Sequence, residues 1–181
     1  MAISTFDGPI RSLGGVFQQG PSAVVTITAN TTLSPASHGG RIIAVGGALT
    51  AGNVTLTLPT INATANDPIA GPGNDPNTNN NLGVVYTIWV PTIISSNSLK
   101  IGTDGTDRYV GSVLSIDTDS SNVTVGFVPD GVDNDFINFN GSTTGGRAGT
   151  WVQIVAIAAL KYMVTGVVLG SGVVATPFAN S

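Results

Sequence analysis

Residues 53–59, NVTLTLP, alternate strictly: Val54, Leu56 and Leu58 are apolar and the intervening Thr55 and Thr57 are polar. A period of two places alternate side chains on opposite faces of an extended chain, so this segment is predicted to be a half-buried strand. Runs of the same kind recur: AVVTITA (23–29), RIIAVGG (41–47), VVYTIWV (84–90), SLKIGT (98–103) and RYVGSVLSID (108–117). VTVGFVPD (123–130), DFINFNG (135–141), TWVQIVAIA (150–158) and KYMVTGVVLG (161–170) complete the series. Between them lie turn clusters such as TDGTD, TDSSN and PDGVDND. Short strands at this spacing predict an all-β domain over residues 23–181, a β-sandwich or jelly-roll-like fold.

The stretch WVQIVAIAALKYMVTGVVL (151–169) carries one charge, Lys161, at its middle. A membrane-spanning helix needs about 20 mostly apolar residues, and an interior Gly such as Gly166 costs roughly 1 kcal/mol relative to Ala. Two strands of ordinary length joined near residues 158–160 fit better. Val152, Ile154 and Ala156 then face one way and Trp151, Val155 and Ile157 the other. A sheet with one wet face alternates apolar with polar residues, whereas here both sides are apolar. The second side is expected to be covered by another copy of the chain. The candidate oligomer interface comprises Trp151, Val155, Ile157, Tyr162, Val164 and Val168.

Two segments fall outside the strand series. Residues 1–22, MAISTFDGPIRSLGGVFQQGPS, show no sustained period and read as an extended arm; about 20 extended residues reach on the order of 65 Å. Phe6, Ile10, Arg11 and Phe17 are apolar or cationic groups that such an arm has no other reason to carry, and they are its candidate anchors. Residues 62–83, rich in Asn, Pro and Gly, form a long loop within the domain.

Composition agrees with the strand reading. Charged residues make up 9% of the chain, against about 25% in ordinary soluble proteins, and all ten acidic residues are Asp. With 24 Gly and 10 Pro, the chain favours strands and turns over helices. A net charge of −4 with six dispersed Lys and Arg gives no basic patch for nucleic acid or anionic lipid. Cys is absent, which excludes disulfides and thiolate metal sites. No secretory signal opens the chain, so synthesis in the cytoplasm is expected.

The search for chemistry returns little. No phosphate-binding Gly-rich loop, dinucleotide fingerprint, zinc-protease motif or nucleophile elbow occurs. His38, in SPASHGG, reads as a turn residue. Asp130, Asp133 and Asp135 place three carboxylates within six residues, and DTDSSN (117–122) opens like a calcium loop without its Gly and final Glu. Solvated turns explain both clusters. Trp89, Trp151, Tyr86, Tyr109 and Tyr162 would suit a sugar platform, but all lie in strands, where core or interface packing is expected. No catalytic residue, metal or cofactor is assigned.

One resemblance remains. TLPTI, then VYTIWV, LKIGTDGTDRYVGSVLSIDTD, FINFNGSTTGGRAGTWVQIVAI, KYMVTGVVLGSG and a terminal ATPFA, over roughly residues 53–178, resemble virion structural proteins of tailed phages. These include phages of cyanobacteria and marine bacteria, and capsid decoration (cement) proteins are among the group. The resemblance implies a β-rich, non-enzymatic subunit that oligomerises, commonly as a trimer. It further implies binding to the major capsid protein on the outer surface of the head. The alternative is a tail or head-fibre module that recognises host glycans through residues 62–83 and the aromatic side chains.

Overall fold

The computed structural model describes residues 19–64, 80–119 and 123–180. The elements are β1 (Val24–Thr26), β2 (Thr31–Thr32), α1 (Pro35–His38), β3 (Ile42–Ala44), β4 (Val54–Thr57), β5 (Val85–Trp89) and β6 (Leu99–Gly102). They continue with β7 (Arg108–Asp117), β8 (Thr124–Phe127), β9 (Phe136–Phe139), β10 (Trp151–Ala158), β11 (Lys161–Gly170) and β12 (Phe178–Ala179). The strands form two sheets that pack into a sandwich. One has seven strands in the order β1-β3-β5-β10-β11-β7-β8, the other five in the order β12-β9-β6-β4-β2.

Every run predicted as a strand contains one. β2, α1 and β12 are additions: elements of two to four residues are too short to show a period. The residues predicted as arm anchors, Phe6, Ile10, Arg11 and Phe17, lie outside the described residues, as does most of the long loop. The segment assigned to the arm ends in a turn, with the Ala23 N–H donating to the Gly20 carbonyl at 3.0 Å.

The winding differs from the antiparallel order of a jelly roll. From β1 to β7 the chain changes sheet after every strand. β1, β3 and β5 consequently lie side by side and parallel in one sheet, and β2, β4 and β6 lie parallel in the other. The first half of the domain is thus a flattened coil of three turns, and the second half closes it with hairpins. β10 pairs antiparallel with β5 on one side and with β11 on the other. β11 in turn lies parallel to β7 over the full length of both strands, from the Lys161–Arg108 pair to Gly170–Asp117.

The alternation read in the sequence sets the core. Val54, Leu56 and Leu58 point inward with Leu99, Ile101, Ile137 and Phe139 of the five-stranded sheet, against Val152, Ile154, Tyr162, Val164 and Val168 of the seven-stranded one. Tyr109 packs in the same interior, its ring centroid 6.5 Å from that of Phe178, and its hydroxyl donates to the Ile101 carbonyl at 3.1 Å. Within the seven-stranded sheet, neighbouring backbones come very close in places. At Gly111 (φ +103°) a Cβ would stand 2.3 Å from the Val164 carbonyl oxygen, so only glycine permits β7 to lie against β11 there.

The stretch 151–169 is a hairpin. Its two-residue turn, Ala159–Leu160, lies between the paired Ala158 and Lys161, and a register shift between Ala156 and Ala158 leaves Ile157 unpaired. Leu160 takes φ +61° and is 57% exposed, so it combines a conformation unfavourable to L-residues with an apolar side chain in water. Leu160→Gly should therefore stabilise the fold by about 1 kcal/mol, raising the melting temperature by roughly 2–4 °C in calorimetry. A lower melting temperature would show that the turn carries no strain.

Candidate functional site

The two outer faces of the sandwich differ in character. On the five-stranded sheet the outward positions are Thr32, Thr55, Thr57, Lys100, Gly102, Phe136, Asn138 and Ala179, a largely polar set. On the seven-stranded sheet the strand registers align outward side chains into rows. One row runs Ala44, Trp89, Trp151, Val167, Leu114 across five strands. The next is Ile42, Thr87, Gln153, Thr165, Ser112, in which the Gln153 amide donates to the Thr87 hydroxyl at 3.4 Å. The third is Val85, Val155, Met163, Val110. Beyond it lie Lys161 and Arg108, beside the bulged Ile157.

Trp89 and Trp151 are directly cross-strand partners and are 39% and 38% exposed. Leu114, Met163 and Ile157 are exposed on the same face. Two large aromatic rings side by side in water, continuous with aliphatic neighbours, form the kind of apolar patch that monomeric proteins keep small. Among the described residues nothing covers it.

The predicted interface residues divide between the two sides of this sheet. Trp151, Val155 and Ile157 are on the uncovered face. Tyr162, Val164 and Val168 are fully buried in the protomer's own core, because the period of two sends the even-numbered residues of β11 inward. The outward set of β11 is instead Met163, Thr165 and Val167. Trp89, Met163, Val167, Val110 and Leu114 were missed, although the same alternation applied to β5, β7 and β11 identifies them.

The aromatic residues weighed as a sugar platform also divide. Tyr86, Tyr109 and Tyr162 are core residues, and only the two tryptophans stand outside. His38 ends α1, and its Nδ1 accepts the Ser34 N–H at 3.0 Å. Partial burial, then the nearby Arg41 charge, lower its pKa.

The Asp clusters serve the backbone. One Asp130 carboxylate oxygen accepts the N–H groups of Val132, Asp133 and Asn134 at 2.9–3.0 Å, and these bonds hold its pKa down. Asp119 accepts the Gly172 N–H at 2.7 Å. Among the described residues no group of three or more His or Asp side chains is placed to hold a metal ion, and no helix is long and apolar enough to cross a membrane.

A second polar cluster closes the neck of the long loop. The Tyr162 hydroxyl donates to the Pro59 carbonyl, and the buried Asn81 amide exchanges hydrogen bonds with Thr60 and Asn62. Asp104 accepts from the Thr106 hydroxyl and N–H and from the Asp107 N–H. Burial opposes its ionisation, yet these bonds, with one from the Thr60 side chain, bring its pKa down to about 2. Asp107 is the opposite case. It is fully buried; one oxygen accepts the Ile61 N–H at 3.0 Å and the other has no partner. Burial, and then the Asp104 charge, raise its pKa, against the Ile61 bond and Arg108, which lower it.

No protein family, curated protein or solved structure matches the chain.

A raised native pKa means that Asp107 favours the fold while protonated. Its contribution is greatest below its ordinary value of 3.8 and declines as pH rises through the raised native value. Asp107→Asn removes this titration and keeps an oxygen for the Ile61 N–H. In urea unfolding across pH 3–8, the variant should gain on the wild type above about pH 4, by up to roughly 1.4 kcal/mol per pH unit. The gain stops once the native pKa is passed. A difference between the two that does not change with pH would remove the assignment. Asp104, held at about 2, alters stability only below about pH 4, where the Asp107 difference has not yet begun.

Proposed function

We propose that the protein is a non-enzymatic virion structural subunit of the capsid decoration (cement) type. It assembles with copies of itself, as a trimer, and binds the major capsid protein on the outer surface of a phage head. One observation carries the reading: the seven-stranded sheet presents paired apolar rows outward with no cover from the described residues, while the opposite face of the same sandwich is largely polar. The sequence resemblance adds the setting, the virion, and supplies the partner.

The dimensions suit self-association. Seven strands spaced about 4.8 Å apart, with central strands of eight to ten residues and shorter edges, give roughly 700 Å² of flat sheet. That is close to the ~800 Å² per partner that a stable interface of standard size buries. Two tryptophans paired across neighbouring strands in one of its apolar rows are the residue type most enriched where binding energy concentrates. A decoration subunit that grips the shell through several copies gains avidity from each added contact, so modest individual contacts suffice.

Sedimentation of the full chain at micromolar concentration is expected to show an oligomer. Trp89→Thr combined with Trp151→Thr keeps residues that favour strands and removes the two largest side chains of the apolar face. The double variant should weaken self-association by about 30-fold or more, the equivalent of roughly 2 kcal/mol, with unchanged far-ultraviolet circular dichroism. A folded monomeric wild type would overturn the reading.

Attachment to the shell is tested separately. Deleting residues 1–18 should leave the oligomer intact and abolish binding to undecorated capsids; capsid binding by the truncated protein would refute the role assigned to Phe6, Ile10, Arg11 and Phe17. Particles should carry hundreds of copies. A few to a few dozen would favour the alternative, a fibre module that recognises host glycans.

A further inference from the structure

On the five-stranded sheet, Lys100 of β6 is the register partner of Asn138 of β9, and Gly102 is the partner of Phe136, which also faces Ala179 of β12. The Phe136 ring lies over Gly102 so closely that a Cβ there would stand 2.6 Å from its Cε1, which fixes the ring against the sheet. Lys100 Nζ stands 5.9 Å from the centre of that ring, and no carboxylate among the described residues pairs with it. Asn138 is held at its backbone, where its N–H donates to the Pro177 carbonyl at 2.8 Å, but its side-chain oxygen is buried without a partner. Asn180 completes the rim. Its oxygen accepts the Asn134 amide at 3.0 Å, leaving its own amide nitrogen as a donor. These residues, with Ala179, line a depression of about 350 Å³.

We infer that this depression binds an acidic saccharide. Three requirements converge within one ligand's width. The ammonium of Lys100 calls for an anion, and the Phe136 ring offers an apolar platform. The half-buried Asn138 amide, whose oxygen has no partner, calls for a hydroxyl, which can donate to the oxygen or accept from the nitrogen and so satisfies either orientation of the amide. A pyranose bearing a carboxylate supplies all three: a C–H face for the ring, an anion for the lysine and hydroxyls for the amides. An inorganic anion meets only the first, and a neutral sugar only the last two. The volume lies within the ordinary range for small-ligand sites. The site is on the face opposite the proposed oligomer contact, so it stands apart from that reading and the proposed self-contact leaves it open.

The test is calorimetric titration of the full chain with tetragalacturonate, with maltotetraose and with inorganic phosphate. The acidic tetrasaccharide should bind and the neutral one should not. Lys100→Met and Asn138→Ala should each weaken binding by about tenfold or more with the melting temperature unchanged; both side chains lie on a sheet surface and neither donates a hydrogen bond within the fold. Absence of tetragalacturonate binding up to about 10 mM, where even a weak site registers, would overturn the inference. So would equal affinity in Lys100→Met, or phosphate binding as tightly as the saccharide.

Discussion

A sandwich wound by changing sheets after each strand must turn a corner between the layers again and again, and every corner leaves backbone N–H groups that no neighbouring strand can accept. The rest of the structure depends on how these groups are met. There is almost no helix to absorb them and no disulfide to hold the corners. Asn and Asp side chains do the work instead. Asn30 accepts the Thr55 N–H and Asn53 that of Ser98, each bridging segments distant in sequence. Asn140 accepts from Ser142 and Thr144, and Asp130 caps three consecutive N–H groups. Short carboxylates and amides reach the backbone two to four residues on, where Glu and Gln overshoot. The absence of Glu and the abundance of Asn thus follow from the topology.

The same economy of charge shapes the surface. With so few Lys, Arg and Asp, solvent exposure is carried by Thr, Ser and Asn, which are compatible with strands but hydrate less strongly than ions. That suffices for the five-stranded face. On the seven-stranded face the middle row of Thr87, Gln153, Thr165 and Ser112 is flanked by two apolar rows. The polar row suits a packed contact as well as water, because its side chains can hydrogen-bond one another along the row, as Gln153 and Thr87 do. A fully apolar face would be sticky in every register. One with a polar row bounded by apolar ones favours those alignments that keep the polar groups opposite one another.

Most of the strand content was legible in the sequence because it rests on a local rule. The alternation in NVTLTLP gives the inward set Val54, Leu56 and Leu58 directly, and Gly166 with Lys161 identifies the hairpin. What joins to what was not legible. The pairing of β7 with β11 brings together residues more than fifty positions apart, and it depends on Gly111 yielding room to a carbonyl that no pattern along the chain announces. The interface reading failed in part for a related reason. Tyr162, Val164 and Val168 are as apolar as the outward residues, so hydrophobicity alone cannot assign them a side; the parity of their positions can. Asp107 is the least legible of all. In TDGTD it looks like another turn carboxylate, and only the packing of residues 59–61 over it makes it a buried acid.

The sheet edges argue for association through faces. β1, β8, β12 and β2, the strands that end the two sheets, are two to four residues long. Strands that short offer few unpaired backbone groups, so they give an incoming chain little to pair with, and sheets that end this way resist edge-to-edge growth into fibres. The fold is also dominated by pairings between distant segments, which form late and leave apolar surface open while they do. A protein with both properties, and an apolar face that none of its described residues covers, has its hazard confined to that face. In the proposed self-contact, twisted sheets whose curvature matches only over a limited area would stop adding copies at a finite number. For the proposed oligomer, blunted edges and one open face therefore favour a closed assembly over a filament.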